Sequence, residues 1–562
     1  MRKSVLVLLG ILQVAVLGAA QGTNKRAQSS WASARLPGTA IAAMQKIEPE
    51  RIRAHVRFLA HDLLEGRGTG QRGGDIAAEY IGTQFALYGL KPAGDHGTYM
   101  QKVPLVGVTP QPETTFSLVP AKGAAMNLNP LTDYVAYNET QQPVSEVDAD
   151  IVYVGFGIQA PEYKWDDYKG ADVKGKVLLM LVNEPSSDDP KFFKGKALTY
   201  YGRWTYKYEE AARRGAVGVI LIHRTDMASY GWEVVRNSNS GEKAYLQLDG
   251  MPKLKVASWI QFEVAKRLAA SAGMDLDRMM ADAHSRDFHP VSMPIKVKAH
   301  MVSRIRPFSS SNVIAMLPGS DRKLEDEAVM YTAHYDHLGI RPDMPGDNIY
   351  NGADDNATGC GILLELARAY SLAVQKPRRS ILFVSVTGEE QGLLGSEYLG
   401  KHPPIPAGKT TLDLNYDNVP PLGSPQEVEV AGAERTTFYP TVQALAKEFR
   451  LAIRPDSRPE AGHYYRSDHF SLARVGIPAF TINEGVKYKG HDEAWGMQQA
   501  DEYTAKRYHQ PSDEYHADMD FTGDAAMARF GFAVGWEAAS AAKLIGWEKG
   551  DEFEAARVAS EQ

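Results

Sequence analysis

Apolar positions change rhythm along this chain, and each change marks a different kind of structure. From Ala40 onward Ile52, Val56, Leu59 and Leu63 recur at helical spacing, and after the glycine-rich turn Gly66–Gly74 a second helix is expected from Asp75 to Tyr88. Between about Phe116 and Pro290 the pattern becomes short strands and turns. V-D-A-D-I-V-Y-V runs into a glycine turn, G-K-V-L-L-M-L-V reads as a buried strand, and a helix stopped at Gly215 feeds the strand V-G-V-I-L-I. After Ser303, apolar strands at Asn312–Leu317, Ala328–Thr332, Ser380–Val386, Leu412–Tyr416 and Ile477–Ile482 alternate with helices at Thr358–Val374, Gly392–Gly400, Pro440–Phe449 and Gly523–Lys543. That alternation predicts an α/β fold with a mostly parallel sheet covered on both faces, and such sheets bind ligands beyond the carboxyl ends of their strands.

Metal-ligand chemistry collects where those strands stop. His334 follows V-M-Y-T-A, with Asp336 two residues on, on the same side of an extended chain and so placed to orient the imidazole. The turn N-G-A-D-D-N-A-T-G puts Asp354 and Asp355 just before a helix, and T-G-E-E-Q-G puts Glu389 and Glu390 after an apolar strand, where one carboxylate can face a metal and its neighbour the water. Asp417 ends the next strand, and R-Y-H-Q-P-S-D brings His509 from a loop ahead of the last long helix. An acidic turn alone is ordinarily just solvated. Imidazole and carboxylate donors gathered at the ends of one sheet instead suit a two-metal hydrolytic centre, which needs about five ligands and a base for its water. His337, and Asp468 and His469 in S-D-H-F, leave pocket wall and plain loop as equal readings. His55 and His61 read as structural or solvated, and His463, His491 and His516 as surface residues.

Composition narrows the class. With 562 residues, 44% of them hydrophobic, the chain exceeds one ordinary core, so two or three packed domains are expected. A formal charge of -7 with no long basic run gives no footprint for nucleic acid. The single cysteine, Cys360, excludes an intrachain disulfide and, at the start of an apolar helix, reads as a buried structural thiol. Arg2 and Lys3, an apolar run to Leu17 and the small residues Gly18, Ala19 and Ala20 form a secretory signal, cleaved after Ala20. Gln13 interrupts that run, which is short for a bilayer anchor, and no later apolar stretch approaches membrane length. The mature protein is therefore expected to be periplasmic or secreted, without a membrane span.

The motifs H-Y-D-H, G-A-D-D-N-A-T-G, E-E-Q-G-L-L-G-S and Y-H-Q-P-S-D together resemble the co-catalytic di-zinc peptidase family that includes bacterial leucyl aminopeptidases, aminopeptidase Y and glutamate carboxypeptidase. The resemblance runs from about Asn312 to Tyr515, and the helices between Ala40 and Leu90 resemble the amino-terminal part of the same domain. It implies the zinc exopeptidase fold and two zinc ions per chain: His334 and Asp417 on one, Glu390 and His509 on the other, Asp355 between them. It further implies Glu389 as general base and Tyr508 as an oxyanion donor. Beside these, Asp336, Asp354 and Asp513 read as supports, and Arg466, Asp468 and His469 as possible pocket residues. A-A-R-R-G-A-V-G-V-I-L-I, with G-K-V-L-L-M before it, resembles the protease-associated (PA) domain, which implies an inserted module that shapes or covers a substrate entrance.

The expected layout is a signal at 1–20, a flexible linker at 21–37, the amino-terminal part of the peptidase domain at 38–115, the PA-like insert at 116–300, the main part at 301–548 and a tail at 549–562. The leading functional reading is an exported zinc aminopeptidase acting on peptides. A carboxypeptidase or dipeptidase is the alternative, since Arg466 and Arg507 flank the site and could hold a substrate carboxylate. A non-catalytic binding protein ranks lower because every ligand position is filled, and so does a cyclase of amino-terminal glutamine. A serine hydrolase is disfavoured because no G-x-S-x-G elbow is evident. Oligomeric state and side-chain preference stay open.

Overall fold

A computed structural model describes residues 36–562 apart from 249, 343 and 457. The expected signal and all of the expected linker except Leu36 and Pro37 lie outside the described residues; Leu36 is buried.

Continuous apolar runs become strands buried on both faces. β1 (Val291–Leu317) precedes β2 (Ala328–His334), β3 (Ser380–Val386), β4 (Thr410–Asn415) and β5 (Ala479–Thr481), and every residue of β2, β3 and β4 is buried. The order is β5-β4-β2-β3-β1. β2 pairs parallel with β3 (Ala328 opposite Ser380) and with β4, β4 pairs parallel with β5, and β1 closes the row antiparallel to β3.

Helices cover both faces. On one, α1 (Pro49–Leu59), α3 (Thr358–Leu372) and α6 (Thr522–Ser540) pack together, with α2 (Arg72–Leu87) alongside α3. There Tyr331 of β2 donates to Gly531 O at 2.9 Å, and a Cβ on Gly535 would stand 1.9 Å from the Tyr331 hydroxyl, so α6 needs glycine to come this close. On the other face, Leu399 of α4 (Leu394–Lys401) and Leu472 of α5 (His469–Arg474) cluster with Met330, Leu382 and Val384.

The 116–300 stretch has a core of its own. Its strands Val144–Tyr153, Val177–Leu181, Gly218–His223 and Val256–Gln261 lie parallel in that order, with Tyr134–Tyr137 antiparallel at the edge. Alternate residues serve opposite faces: Val177, Leu179, Leu181, Ile220 and Ile222 enter one apolar cluster, and Leu178, Met180, Val219 and Leu221 the other. β1 pairs with Val144–Tyr153 through its first half and with β3 through its last residues, so one strand runs through position 300, where the sequence places a boundary. Among the described residues no helix is long and apolar enough to cross a membrane. The expected tail contains a helix, Glu554–Ser560, whose buried Arg557 donates to the carbonyls of Ala407 and Thr410.

Candidate metal centre

Parallel strands deliver their carboxyl ends to one edge of the sheet, and the donors meet there. His334 closes β2, and its Nε2 lies 3.2 Å from Asp355 Oδ1 and 3.2 Å from Asp417 Oδ1, just past the end of β4. Asp355 belongs to the turn Ala353–Ala357 that leads into α3. Gly352 makes that turn possible at φ +58: a Cβ there would meet Asp355 O at 2.2 Å and His337 Cγ at 2.7 Å. Asp513 accepts the backbone N–H groups of Asp354 and Asp355 at 3.0 and 3.1 Å. Asn356 donates to Tyr416 O at 2.9 Å and accepts from Asn418 N at 3.2 Å, tying the acidic turn to the strand end that carries Asp417.

A second group shares Asp355. Glu390 Oε2 is 3.1 Å from His509 Nε2, which is 3.4 Å from Asp355 Oδ2. His337 Nδ1 is 2.5 Å from Glu390 Oε1, and its Nε2 is buried with no partner among the described residues. Donor atoms close enough to hold one ion occur in the sets His334, Asp355, Asp417 and His337, Asp355, Glu390. His337, which the sequence left between pocket and loop, therefore stands with the second set.

The electrostatics separate two adjacent carboxyls. Burial pushes Glu390 up, but His509 and His337 outweigh it and hold the group at about 2. Burial would lower His509, but Glu390 and Asp355 outweigh it and raise the imidazole to about 10. Glu389 goes the other way: burial, together with Asp417 and Glu390, pushes it well above the usual carboxyl range. One carboxyl is thus suited to hold charge and its neighbour to hold a proton. Buried carboxylates and imidazoles in this density, including a free His337 nitrogen, are the donor chemistry zinc takes, so the residues fit that metal.

Asp336 acts differently from the expectation. His334 Nδ1 meets its backbone carbonyl at 3.1 Å, while its carboxylate stays 3.9 Å away and accepts from Thr69 Oγ1 at 2.7 Å and from Glu389 N at 3.2 Å. The strand ends at His334, so the alternation that would put both side chains on one side no longer applies. Asp336 secures the Glu389 loop instead. Buried Arg67 donates to the carbonyls of Tyr335, Leu59 and Gly352, joining the amino-terminal helices to the site. Cys360 is buried, with Sγ 3.1 Å from His334 O.

A cavity of about 740 Å³ opens beside the cluster. Glu389, Glu390, Tyr508 and His509 form part of its wall; Arg203, Trp204, Ser238 and Lys243 from the 116–300 stretch form another part. Ser238 Oγ is 2.8 Å from His509 Nδ1, Asn237 donates to His509 O at 3.0 Å, and Lys243 reaches Glu390 O at 3.5 Å. Of the pocket candidates, Arg466 lines the cavity, whereas Asp468 and His469 are buried at the start of α5 and are not among the lining residues. Burial pushes Asp468 up to about 7 and His469 down to about 3. Arg507 is 3.7 Å from Asp354 Oδ2 and is not part of that wall. Nothing in the local sequence pattern singles out Ser238, Asn237 or Arg203, because they reach the site only through tertiary packing; Thr69 sits in the glycine-rich turn, a conspicuous feature that carries no ligand signature.

Residues 312–532 match the family model described as Peptidase family M28. This segment belongs to peptidase family M28. His334, Asp355, Glu389, Glu390, Asp417, Tyr508 and His509 all lie inside the M28 segment, while Arg203, Ser238 and Lys243 lie outside it. A "probable zinc metalloprotease" of Pyrenophora tritici-repentis (strain Pt-1C-BFP) is 35% identical over 154 residues, 25% of this chain and 26% of that protein. Leupeptin-inactivating enzyme 1 of Streptomyces exfoliatus is 27% identical over 228 residues, 38% of this chain and 48% of that protein. The chain thus spans about a quarter to a half of the length of these curated relatives. Among solved structures, an aminopeptidase from Aneurinibacillus sp. strain AM-1 is 21% identical with a TM-score of 0.54, over 90% of this chain and 97% of that one, so the likeness in fold extends well beyond the M28 segment.

Proposed function

We propose that this protein is an exported zinc exopeptidase, and that it releases amino-terminal residues from peptides. The observation that carries the reading is the pair of donor sets sharing Asp355, buried except for the half-buried Asp417, with Glu389 beside them on a cavity wall. His334 and Asp417 would hold one zinc ion, Glu390 and His509 the other, and Asp355 both. When bound, the metal supplies positive charge that acidifies water and polarises a carbonyl. Glu389 takes a proton from the attacking water as its oxygen bonds to the scissile carbon, then delivers that proton to the amine as the C–N bond breaks. The Tyr508 hydroxyl, whose proton burial holds firmly, donates to the oxygen that gains charge. The family of the M28 segment and the fold shared with an aminopeptidase support this reading. Residues 116–300 serve in it as a PA-like module that walls the cavity.

The test is hydrolysis of free and amino-blocked peptides by zinc-loaded protein, with metal content measured alongside. Cleavage of free peptides with zinc bound is the expected result. Cleavage that tolerates a blocked amine but demands a free carboxylate would move the protein to the carboxypeptidase reading, and activity untouched by chelation would exclude the metal.

A further inference from the structure

Two arginines in the cavity wall form no ion pair among the described residues. Arg203 is 9% exposed, and its Nε, like that of Arg466, is buried without a hydrogen-bond partner among the described residues. Arg466 donates one bond, to Ala228 O at 3.0 Å, and its guanidinium lies 5.2 Å from the centre of the Tyr230 ring; Arg203 lies 5.7 Å from the Trp204 ring. Two other cations on the same wall are matched: Arg474 lies 3.6 Å from Glu209, and Lys401 lies 2.8 Å from Glu397. The two guanidiniums also sense each other, since burial and then Arg466 push Arg203 down to about 10 against the opposing pull of Tyr230 and Glu389. Two like charges on one cavity wall, neither in an ion pair among the described residues, are unfavourable unless an anion arrives between them. A guanidinium fork matches a carboxylate in shape as well as charge.

We infer that Arg203 and Arg466 form a subsite for a carboxylate carried by the substrate, in the same cavity as Glu389. The inference rests on the peptidase reading and adds the substrate class: peptides bearing an anionic group near the bond that is cut. Two sources offer that group, the side chain of an acidic residue and the terminal α-carboxylate of a very short peptide. Because Arg203 belongs to the 116–300 stretch and Arg466 to the M28 segment, both parts of the chain contribute to selection.

The experiment compares kcat/KM of the zinc-loaded protein on Leu-Ala-amide, which has no carboxylate, Leu-Ala, which has only the terminal one, and Glu-Ala-amide, which has only the side-chain one. One anionic substrate is expected to exceed the neutral one at least tenfold, and which one identifies the source. In Arg203→Met and Arg466→Met that ratio falls about 10- to 100-fold, the worth of a charge-assisted pair, while Arg466→Lys retains part of it and guards against misfolding. Equal wild-type rates on all three substrates, or an unchanged ratio in both variants, would overturn the inference. If none of the three is cleaved, the peptidase reading fails by itself, and glutarate titrated by calorimetry decides the subsite: binding weakened at least tenfold in both methionine variants supports it, and absent or unchanged binding overturns it.

Discussion

His334 and Asp417 hang from the ends of neighbouring parallel strands, β2 and β4, whereas Glu390 and His509 hang from loops. The first pair is positioned by sheet register, which is fixed wherever both faces are buried. The second relies on unusual backbone: Gly388 at φ +68, Leu393 at φ +64 and His509 itself at φ +55. A left-handed non-glycine residue costs about 1–2 kcal/mol, so His509 keeps that conformation because its surroundings hold it. Those surroundings include Ser238 and Asn237, from outside the M28 segment. The two halves of one cluster therefore differ in what supports them, and the 116–300 stretch touches the second through Ser238 and Asn237.

The largest expected effect leaves both halves intact. Glu389→Gln should lower kcat/KM by about 10²- to 10⁴-fold with zinc content equal to wild type; full turnover in a zinc-loaded variant would remove Glu389 from its role. Ser238→Ala sharpens the contrast. It should weaken one of two zinc ions about 10- to 100-fold in a chelator competition and leave the other unchanged, and equal weakening of both would erase the distinction. Gly352→Ala should disturb both halves together, destabilising the fold by about 1–3 kcal/mol in chemical denaturation, since the turn beneath Asp355 has no room for a Cβ.

A further effect concerns the scaffold common to both. Burial, followed by Arg435, lowers His469 to about 3, and burial lowers His55 to about 4, both from 6.5. The unfolded chain takes up these protons first as pH falls, so their contribution is intact above about 6.5 and is lost progressively toward 4 and 3. Denaturation midpoints measured from pH 7 to pH 4 should decline, and less steeply in His469→Phe.

The same contrast explains how far the sequence could be read. The apolar runs at Ala328–His334 and Ser380–Val386 appear as strands because burial on both faces leaves no alternation to misread. His334, Asp355 and Asp417 were visible as donors because each lies at or near a strand end or in a glycine turn. His509 was visible through its motif, but its support was not, since Ser238 is 271 residues away. Asp336 meets the imidazole through its backbone carbonyl more closely than through its carboxylate because strand alternation stops at His334, and nothing local fixes where a buried loop histidine such as His337 points. Arg203 carries no ligand pattern at all; its Nε is buried without a hydrogen-bond partner among the described residues, which only packing reveals.

Zinc counted by elemental analysis in purified wild type and His509→Ala tests the central claim most directly. A shared two-ion centre with unequal halves predicts two zinc ions per chain in wild type and close to one in His509→Ala, the survivor held by His334, Asp355 and Asp417. A wild type without zinc, or a His509→Ala protein that still holds two, would contradict it.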